Sequence, residues 1–480
     1  MRVFQHYISA RRLLMVLSET WLFFFVFAVG ATIRVGPLAF DSQAAWHSRW
    51  SALLAAAICQ VVLMFQDLYD WRISALPRER NPRIVAACGI AFVVLAAVFF
   101  YFQAATLGVA FGLPTEDLQT RTWRFIGTVI AAFTALAFWR SLFHAFFGRW
   151  RFAERVLILG GGELAASLAR EIADHRDSGF EVAAMVSGPN EPLRRPRRRD
   201  PVVPYLRRDL GDLYDVAREL RVHRVVVALQ DRRATLPVDA LLKCRLNGIR
   251  IDEREQVYER VTGKLAVEVM RPSYIIFSEG FRKAPLALAV KRALDVVLSA
   301  TGLLVSLPIT VAIAIAIRVD SPGSVFFRQP RVGKDGRAFV LFKFRSMRAD
   351  AEKGTGPVWA QLHDDRVTRV GKFIRKTRID EIPQMWNVLR GEMSFVGPRP
   401  ERPFFVEELA SEIPYYMERL TVKPGITGWA QICYPYGSSK GDAIQKLQYD
   451  LYYIKNLSLL FDLTILLRTV KVVLLREGAR

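Results

Sequence analysis

Two adjacent carboxylates, Asp380 and Glu381, lie among basic residues in the stretch KTRIDEIPQMWNVLRGEMSFVGPRP. An ionised carboxylate can attack phosphorus, but an anionic diphosphate repels it, so cations must neutralise the phosphoryl oxygens. Lys343, Arg375 and Arg399 are candidates, because basic side chains and above all guanidinium groups bind phosphate. A carboxylate of the pair could also hold a hard divalent ion such as Mg²⁺. Residue types alone leave a second interpretation open, namely a helix cap with surface ion pairs.

The segment that follows the carboxylates is predicted to be a helix beginning near Asp380. Pro383 suits its first turn and Gly391 its end, while Asp380, Gln384 and Asn387 share one face by three-to-four residue spacing. Asp380 would then lie at the positive end of the helix dipole, which favours its ionised form by ~0.3–1 kcal/mol. Upstream, the alternating FVLFKF predicts a hairpin strand.

The composition restricts the class of partner. The chain has 480 residues, 52% of them hydrophobic, and a net charge of +21, which favours a polyanionic partner or an anionic membrane surface. Long apolar runs favour lipid headgroups or phosphorylated substrates over nucleic acid, so no nucleic-acid partner is expected. The four cysteines and six histidines show no metal-ligand spacing and predict neither a disulfide framework nor a zinc site.

Residues 1–150 are predicted to form four transmembrane helices, because a span needs ~20 mostly apolar residues. The second run is short, so its limits are uncertain. Basic residues at the entry, at the exit and after the second run place both ends of this region in the cytoplasm. The four runs cover residues 13–33, 51–65, 84–107 and 125–147.

Residues 151–275 are predicted to form a Rossmann-like α/β domain, since RVLILGGGELAASLAREI has the pattern of a buried strand, a glycine turn and an amphipathic helix. The glycines Gly160, Gly161 and Gly162 could admit a phosphate at the helix N-terminus. The second strand ends in VSGPN, without an acidic residue for a ribose. A bound dinucleotide and a structural or regulatory module both stay open, the latter favoured.

Residues 286–320 form an apolar segment that is interrupted by Pro308 and flanked by basic residues at both ends. A helix that enters the membrane, bends at Pro308 and returns would keep both flanks in the cytoplasm, whereas a simple fifth span would not. Lys291 and Arg292 are expected to anchor this segment by binding lipid phosphates. The C-terminal LSLLFDLTILLRTVKVVLL predicts interfacial helices, because Asp462 and Arg468 interrupt it.

Residues 286–480 resemble the catalytic region of the bacterial sugar transferases that act on polyprenyl phosphate. The resemblance rests on QPRVGKDGRAF, KFRSM, DEIPQMWNVLRGEMSFVGPRPERP, VKPGITGWAQ and YDLYYIKNLSLLFD. The preceding helices and α/β domain resemble those of the large members of the family. Two departures are Asp364-Asp365-Arg366 in place of Asp-Pro-Arg, and Arg378-Ile379 where Ser-Leu commonly precedes the dyad.

The resemblance implies transfer of a hexose 1-phosphate from a UDP-sugar to undecaprenyl phosphate, with release of UMP. It implies that Asp380 is the nucleophile, forms a phosphosugar-aspartyl intermediate and is associated with Mg²⁺, while Glu381 supports it. Lys343, Arg375 and Arg399 would bind phosphate. The re-entrant helix of the family is broken at a proline, which would correspond to Pro308. UDP-glucose as donor, a homodimer, and the first membrane step of exopolysaccharide, capsule or O-antigen synthesis are further expectations.

The sequence therefore predicts a multi-domain membrane protein of the bacterial inner membrane, with its catalytic domain on the cytoplasmic face. Its parts are a four-helix transmembrane bundle, a Rossmann-like α/β domain, a re-entrant helix over residues 286–320 and an α+β catalytic domain over 321–480. Two other functions stay open. One is a membrane sensor or scaffold with an inactive transferase region. The other is an NAD-dependent enzyme, but the α/β segment of this sequence lacks a Tyr-x-x-x-Lys motif.

Overall fold

In the computed structural model the chain forms two compact units, one of Met1 and Tyr7–Glu253 and the other of Arg2–His6 and Arg254–Arg480. The residues that the structure describes are 2–3, 6–7, 10–35, 43–69, 74, 76–102, 118–149, 153–175, 178–189, 201, 203–230, 236–281, 284–348, 366–434, 437 and 439–475. The departure at Asp364-Asp365 lies outside them. Two short N-terminal strands are β1 (Arg2–Val3) and β2 (His6–Tyr7).

Four helices open the first unit, as the apolar runs predicted. They are α1 (Ala10–Val35), α2 (Gln43–Phe65), α3 (Pro77–Phe102) and α4 (Leu118–Arg149). Among the described residues, α1, α3 and α4 are long and apolar enough to cross a membrane, whereas the apolar part of α2, Trp50–Phe65, is shorter. Glu19 and Arg140 are fully buried and paired at 2.7 Å inside this bundle, so these two charges face protein.

The second part of the first unit is a parallel α/β sheet, and this prediction is confirmed. Its strands run in the order β5 (Tyr205–Arg207), β4 (Phe180–Ser187), β3 (Glu154–Leu159), β6 (Arg224–Val227) and β7 (Arg250–Glu253), with every neighbouring pair parallel. Gly160 has a φ of +142°, and a Cβ there would meet the carbonyl oxygen of Ala228 at 2.7 Å, so only glycine permits this approach. The elements are β3 (Glu154–Leu159), α5 (Glu163–Asp174), β4 (Phe180–Ser187), β5 (Tyr205–Arg207), α6 (Leu213–Glu219), β6 (Arg224–Val227), α7 (Val238–Leu246) and β7 (Arg250–Glu253).

The second unit is an α+β structure with two small sheets. Strands β8 (Phe326–Val332) and β9 (Ala338–Phe344) form an antiparallel hairpin in which Phe327 pairs with Lys343. Strands β10 (Ser394–Val396) and β11 (Gly425–Thr427) pair in parallel. The elements are α8 (Arg254–Thr262), α9 (Pro272–Phe277), α10 (Pro285–Asp320), β8 (Phe326–Val332), β9 (Ala338–Phe344), α11 (Arg369–Lys376), α12 (Gln384–Arg390), β10 (Ser394–Val396), α13 (Pro403–Glu412), β11 (Gly425–Thr427), α14 (Trp429–Cys433), α15 (Lys440–Lys455) and α16 (Leu459–Leu475).

The boundary between the units falls earlier than the sequence predicted. Residues 254–275, assigned above to the α/β domain, belong to the second unit. The reason is packing, because Leu265 and Tyr274 enter the hydrophobic core that α13, α15 and α16 form. Lys455 of α15 also donates to Glu259 and to the hydroxyl of Tyr274, which binds α8 and α9 to that core.

Two predicted features of helix α10 stay predictions. The helix runs continuously over Pro285–Asp320 with Pro308 inside it, and both the break at Pro308 and the re-entrant course stay predictions. Lys291 and Arg292 have partners inside the second unit, and their predicted binding of lipid phosphates stays a prediction. Lys291 pairs with Asp462 at 2.7 Å, and Arg292 donates to the carbonyl oxygens of α12 residues Val388 and Leu389 at 2.6 and 2.8 Å.

Candidate active site

The Asp-Glu pair lies in a tight turn between two short helices. After α11, Arg378 adopts the left-handed conformation with a φ of 58°, and a 3-10 turn follows over Ile379–Glu381. The α-helix itself begins only at Gln384, so the prediction that Asp380 opens it is wrong by one turn. The predicted end is confirmed, because Gly391 ends α12 with a φ of 81°.

Glu381 is surrounded by three cationic side chains. Its Oε1 lies 3.0 Å from Nζ of Lys343, 3.2 Å from Nη2 of Arg399 and 3.9 Å from Nη1 of Arg378. Burial raises the pKa of Glu381, but the surrounding cations outweigh burial and hold the pKa at about 2. Glu381 is therefore held in its ionised form among these cations.

Asp380 has the opposite electrostatic environment. Its side chain is 11% exposed, and its nearest cation is Nζ of Lys343 at 3.9 Å, beyond hydrogen-bond distance. Burial raises the pKa of Asp380, the charge of Glu381 adds to the rise, and Lys343, Arg375 and Arg399 oppose it. A higher pKa makes Asp380 the more basic carboxylate of the pair, which suits it to attack phosphorus.

The predicted cations converge on the dyad, and each is held by its own partner. Arg375 donates from Nε to the hydroxyl of Ser346 at 2.8 Å, and Arg399 donates from Nη1 to Oε1 of Gln431 at 2.8 Å. Sequence analysis missed Ser346 and Gln431. Both occur in the quoted motifs KFRSM and VKPGITGWAQ, but nothing in the sequence indicates which cation they contact.

The buried side chain of Asn387 holds the strand that carries Lys343. Asn387 is fully buried, donates to the carbonyl oxygen of Val340 at 2.7 Å and accepts from the amide of Phe342 at 3.1 Å, which fixes the part of β9 that carries Lys343. The spacing had predicted that Asn387 shares a helix face with Asp380. Its side chain instead forms hydrogen bonds with β9.

Arg419 supports Arg399 through the backbone. It donates to the carbonyl oxygen of Arg399 at 3.0 Å and pairs with Asp450 at 2.9 Å. Burial raises the pKa of Asp450 to about 6, although Arg419 opposes that rise. The segment that carries Arg399 is thus anchored by a buried ion pair.

The charge balance of the site suits a phosphorylated ligand. Four cations, Lys343, Arg375, Arg378 and Arg399, act electrostatically on the two dyad carboxylates. Within the described residues no cluster of three acidic, histidine or cysteine side chains could hold a metal ion alone. Mg²⁺ usually binds one or two carboxylates together with substrate phosphates, and Asp380 fits that pattern. Glu381 does not, because cations already surround it.

Comparison with known proteins identifies both units. Residues 286–476 match the family model described as bacterial sugar transferase, and residues 64–251 match one described as CoA-binding domain. A UDP-N-acetylgalactosamine-undecaprenyl-phosphate N-acetylgalactosaminephosphotransferase of Aeromonas hydrophila is 41% identical over half of this chain and 56% of its own length.

Several relatives carry glucose in their names. A UDP-glucose:undecaprenyl-phosphate glucose-1-phosphate transferase of Caulobacter vibrioides is 42% identical over 39% of this chain and 71% of its own length. A protein of the same name from Escherichia coli is 45% identical over 38% of this chain and 39% of its own length. The chain therefore matches little more than half the length of the Aeromonas relative and less than half of the Escherichia relative.

Proposed function

The chain belongs to the bacterial sugar transferase family, and from that premise we propose that it transfers a sugar 1-phosphate from a UDP-sugar to undecaprenyl phosphate. The observation that carries the proposal is the division of roles within the dyad. Glu381 holds Lys343 and Arg399 in place, and Asp380 stays unpaired at hydrogen-bond distance and more basic.

In the first step, Asp380 attacks the phosphorus that bears the sugar. A bond forms between a carboxylate oxygen and phosphorus, the phosphoanhydride bond breaks, and UMP leaves with the bonding electron pair. In the second step, a phosphate oxygen of undecaprenyl phosphate attacks the same phosphorus and releases the carboxylate. Lys343, Arg375 and Arg399 neutralise charge on the phosphoryl oxygens in both steps, at positions that are set before substrate binds.

We include Mg²⁺ in the proposal as a cofactor held by Asp380 together with diphosphate oxygens of the donor. When bound, the ion would neutralise negative charge on the diphosphate and so reduce its repulsion of the carboxylate. The assignment is tested by titrating Mg²⁺ against the wild-type enzyme and against a variant whose only change is Asp380→Glu, which keeps the charge and moves the oxygens.

The attachment of α10 supports a re-entrant course in the membrane. Near its start, Arg292 binds α12, and at its end Asp320 accepts from the amide of Val370 in α11, so both ends are held within one unit. Between them, Leu304 and Val305 are each 72% exposed. A straight helix of 36 residues would be ~54 Å long, against ~30 Å of hydrocarbon. We propose that the helix bends at Pro308, which lacks a backbone donor.

The donor sugar is proposed to be glucose, with N-acetylgalactosamine as the alternative that the Aeromonas relative suggests. A panel of UDP-sugars with undecaprenyl phosphate in membranes, scored for UMP release, decides between them. The proposed setting is the bacterial inner membrane with the catalytic unit on the cytoplasmic face, as a homodimer, at the first membrane step of polysaccharide assembly.

The decisive experiment replaces Asp380 with Asn. UMP release should fall at least about a thousandfold, because the amide cannot form the acyl phosphate. Asp335→Asn is the matched control, since Asp335 is 59% exposed, and its activity should stay at the wild-type level. Wild-type enzyme given donor without acceptor should yield a phosphosugar adduct on the peptide that contains Asp380. Normal turnover by Asp380→Asn, or an adduct on another peptide, would overturn the assignment.

A further inference from the structure

Lys423 is a cation that the proposed reaction does not use. It precedes β11 in the motif VKPGITGWAQ, is partly buried, and forms no hydrogen bond or ion pair with any residue that the structure describes. Burial lowers the pKa of Lys423, and the like charges of Arg292, Lys334 and Lys291 lower it further, opposed by Asp295. A half-buried ammonium among other cations is costly unless an anion joins it.

The end of α12 brings two of these cations to one place. A Cβ on Gly391 would meet Nη2 of Arg292 at 3.3 Å and Nζ of Lys423 at 3.4 Å, so glycine leaves room for both heads. Arg292 donates to carbonyl oxygens, which leave its charge unneutralised. Asp295 is engaged elsewhere, because it accepts from the hydroxyl of Ser394 and the amide of Phe395, each at 3.1 Å.

Capping of α12 is the plain structural explanation for such cations, and it accounts for Arg292 alone. Arg292 donates to the carbonyl oxygens of Val388 and Leu389, two of the last acceptors in the helix. Lys423 donates to none of the described carbonyls, so the cap does not explain it. Lys334, in the motif QPRVGKDGRAF, is half-exposed on the turn between β8 and β9, where it forms an exposed ion pair with Asp335 at 3.7 Å, and its charge acts on Lys423.

These cations lie beside an apolar helix surface. The face of α10 that carries Arg292, Asp295 and Ser299 packs on the catalytic unit, and Asp295 and Ser299 are buried. On other faces of the same turns, Leu294 is 48% and Val297 60% exposed. A ligand with an anionic head and an apolar tail would place its head against the cations and its tail along α10.

We propose that Lys423, Arg292 and Lys334 bind the phosphate group of a membrane lipid, at a site separate from the dyad. The seven residues of α12, about 10 Å of helix, lie between the dyad turn and Gly391. The phosphate could belong to a bulk phospholipid or to a polyprenyl phosphate, and the test separates these sources. The site does not depend on the proposed reaction.

The test measures lipid retained by the full chain released from nanodiscs, by native mass spectrometry. One set of nanodiscs contains phosphatidylcholine with phosphatidylglycerol and a second set contains phosphatidylcholine with undecaprenyl phosphate. Lys423→Gln should reduce retention of the anionic lipid about fivefold, as expected for one cation near an anionic surface, and Lys334→Gln should act in the same direction. Lys440→Gln, at an exposed ion pair with Glu412, is the matched control and should retain lipid as wild type does.

The set of nanodiscs from which the lysine variants retain less anionic lipid identifies the source of the phosphate. Inorganic phosphate in solution should compete weakly, because it lacks the apolar tail, and Asp380→Asn should retain lipid normally even though it abolishes turnover. Unchanged retention in both lysine variants, or full competition by inorganic phosphate, would overturn the proposal. Lys334→Gln keeps the test decisive if Lys423→Gln fails to fold, since Lys334 is half-exposed.

Discussion

Replacing Glu381 with Gln tests the idea that this residue is a fixed anion that organises the site. Its pKa is lowered from 4.5 to about 2, a difference that corresponds to about 3 kcal/mol of stability from the ionised form. Only 12% of the side chain is exposed, so solvent screening reduces this value little. Because the pKa is depressed in the folded state, the contribution is complete above pH 4.5 and is lost as the pH falls through 2.

At pH 7 Glu381→Gln should therefore lower the Tm of the catalytic unit by roughly 6–12 °C, at about 2–4 °C per kcal/mol. UMP release should fall at least about tenfold, because Lys343 and Arg399 would turn toward Asp380 and reduce its basicity. The assays are thermal unfolding in nanodiscs followed by fluorescence, and UMP release. Glu412→Gln, at an exposed pair of 2.8 Å with Lys440, should cost at most about 1 kcal/mol. Equal Tm shifts in the two variants would refute the reasoning.

Two further substitutions test the positioning contacts. Gln431→Ala removes the 2.8 Å contact to Arg399 and should lower kcat/KM for the UDP-sugar about tenfold, because one hydrogen bond to a charged group is lost. An unchanged kcat/KM in steady-state kinetics would show that this contact does not position Arg399. Gly391→Ala should destabilise the catalytic unit by about 1–2 kcal/mol, because its φ of 81° is left-handed and its Cβ would crowd Arg292; a Tm equal to wild type would contradict this.

The Asp380–Arg399 region shows what sequence patterns can and cannot supply. Gly391 as a helix end and Pro383 near a helix start follow from local backbone preferences, and both were predictable. The 3-10 turn that carries Asp380 was not, because Arg378 in a left-handed conformation has no propensity signal in the sequence. The contacts of Lys291 with Asp462 and of Arg292 with Val388 were not predictable either, since a basic pair beside an apolar run does not reveal its intramolecular partners.

The sequence by itself determined the apolar helices, the parallel α/β unit, the family resemblance and the identity of the charged residues, because periodicity, turn residues and motif order are local properties. Only the tertiary structure decided which carboxylate lies within hydrogen-bond distance of cations. Glu381 and Asp380 are adjacent in the chain, but Lys343 of β9 and Arg399 lie 3.0 and 3.2 Å from Glu381, whereas Lys343 lies 3.9 Å from Asp380. Burial and charge depend on neighbours that are distant in sequence, so the difference in basicity between these carboxylates arises only when the chain folds.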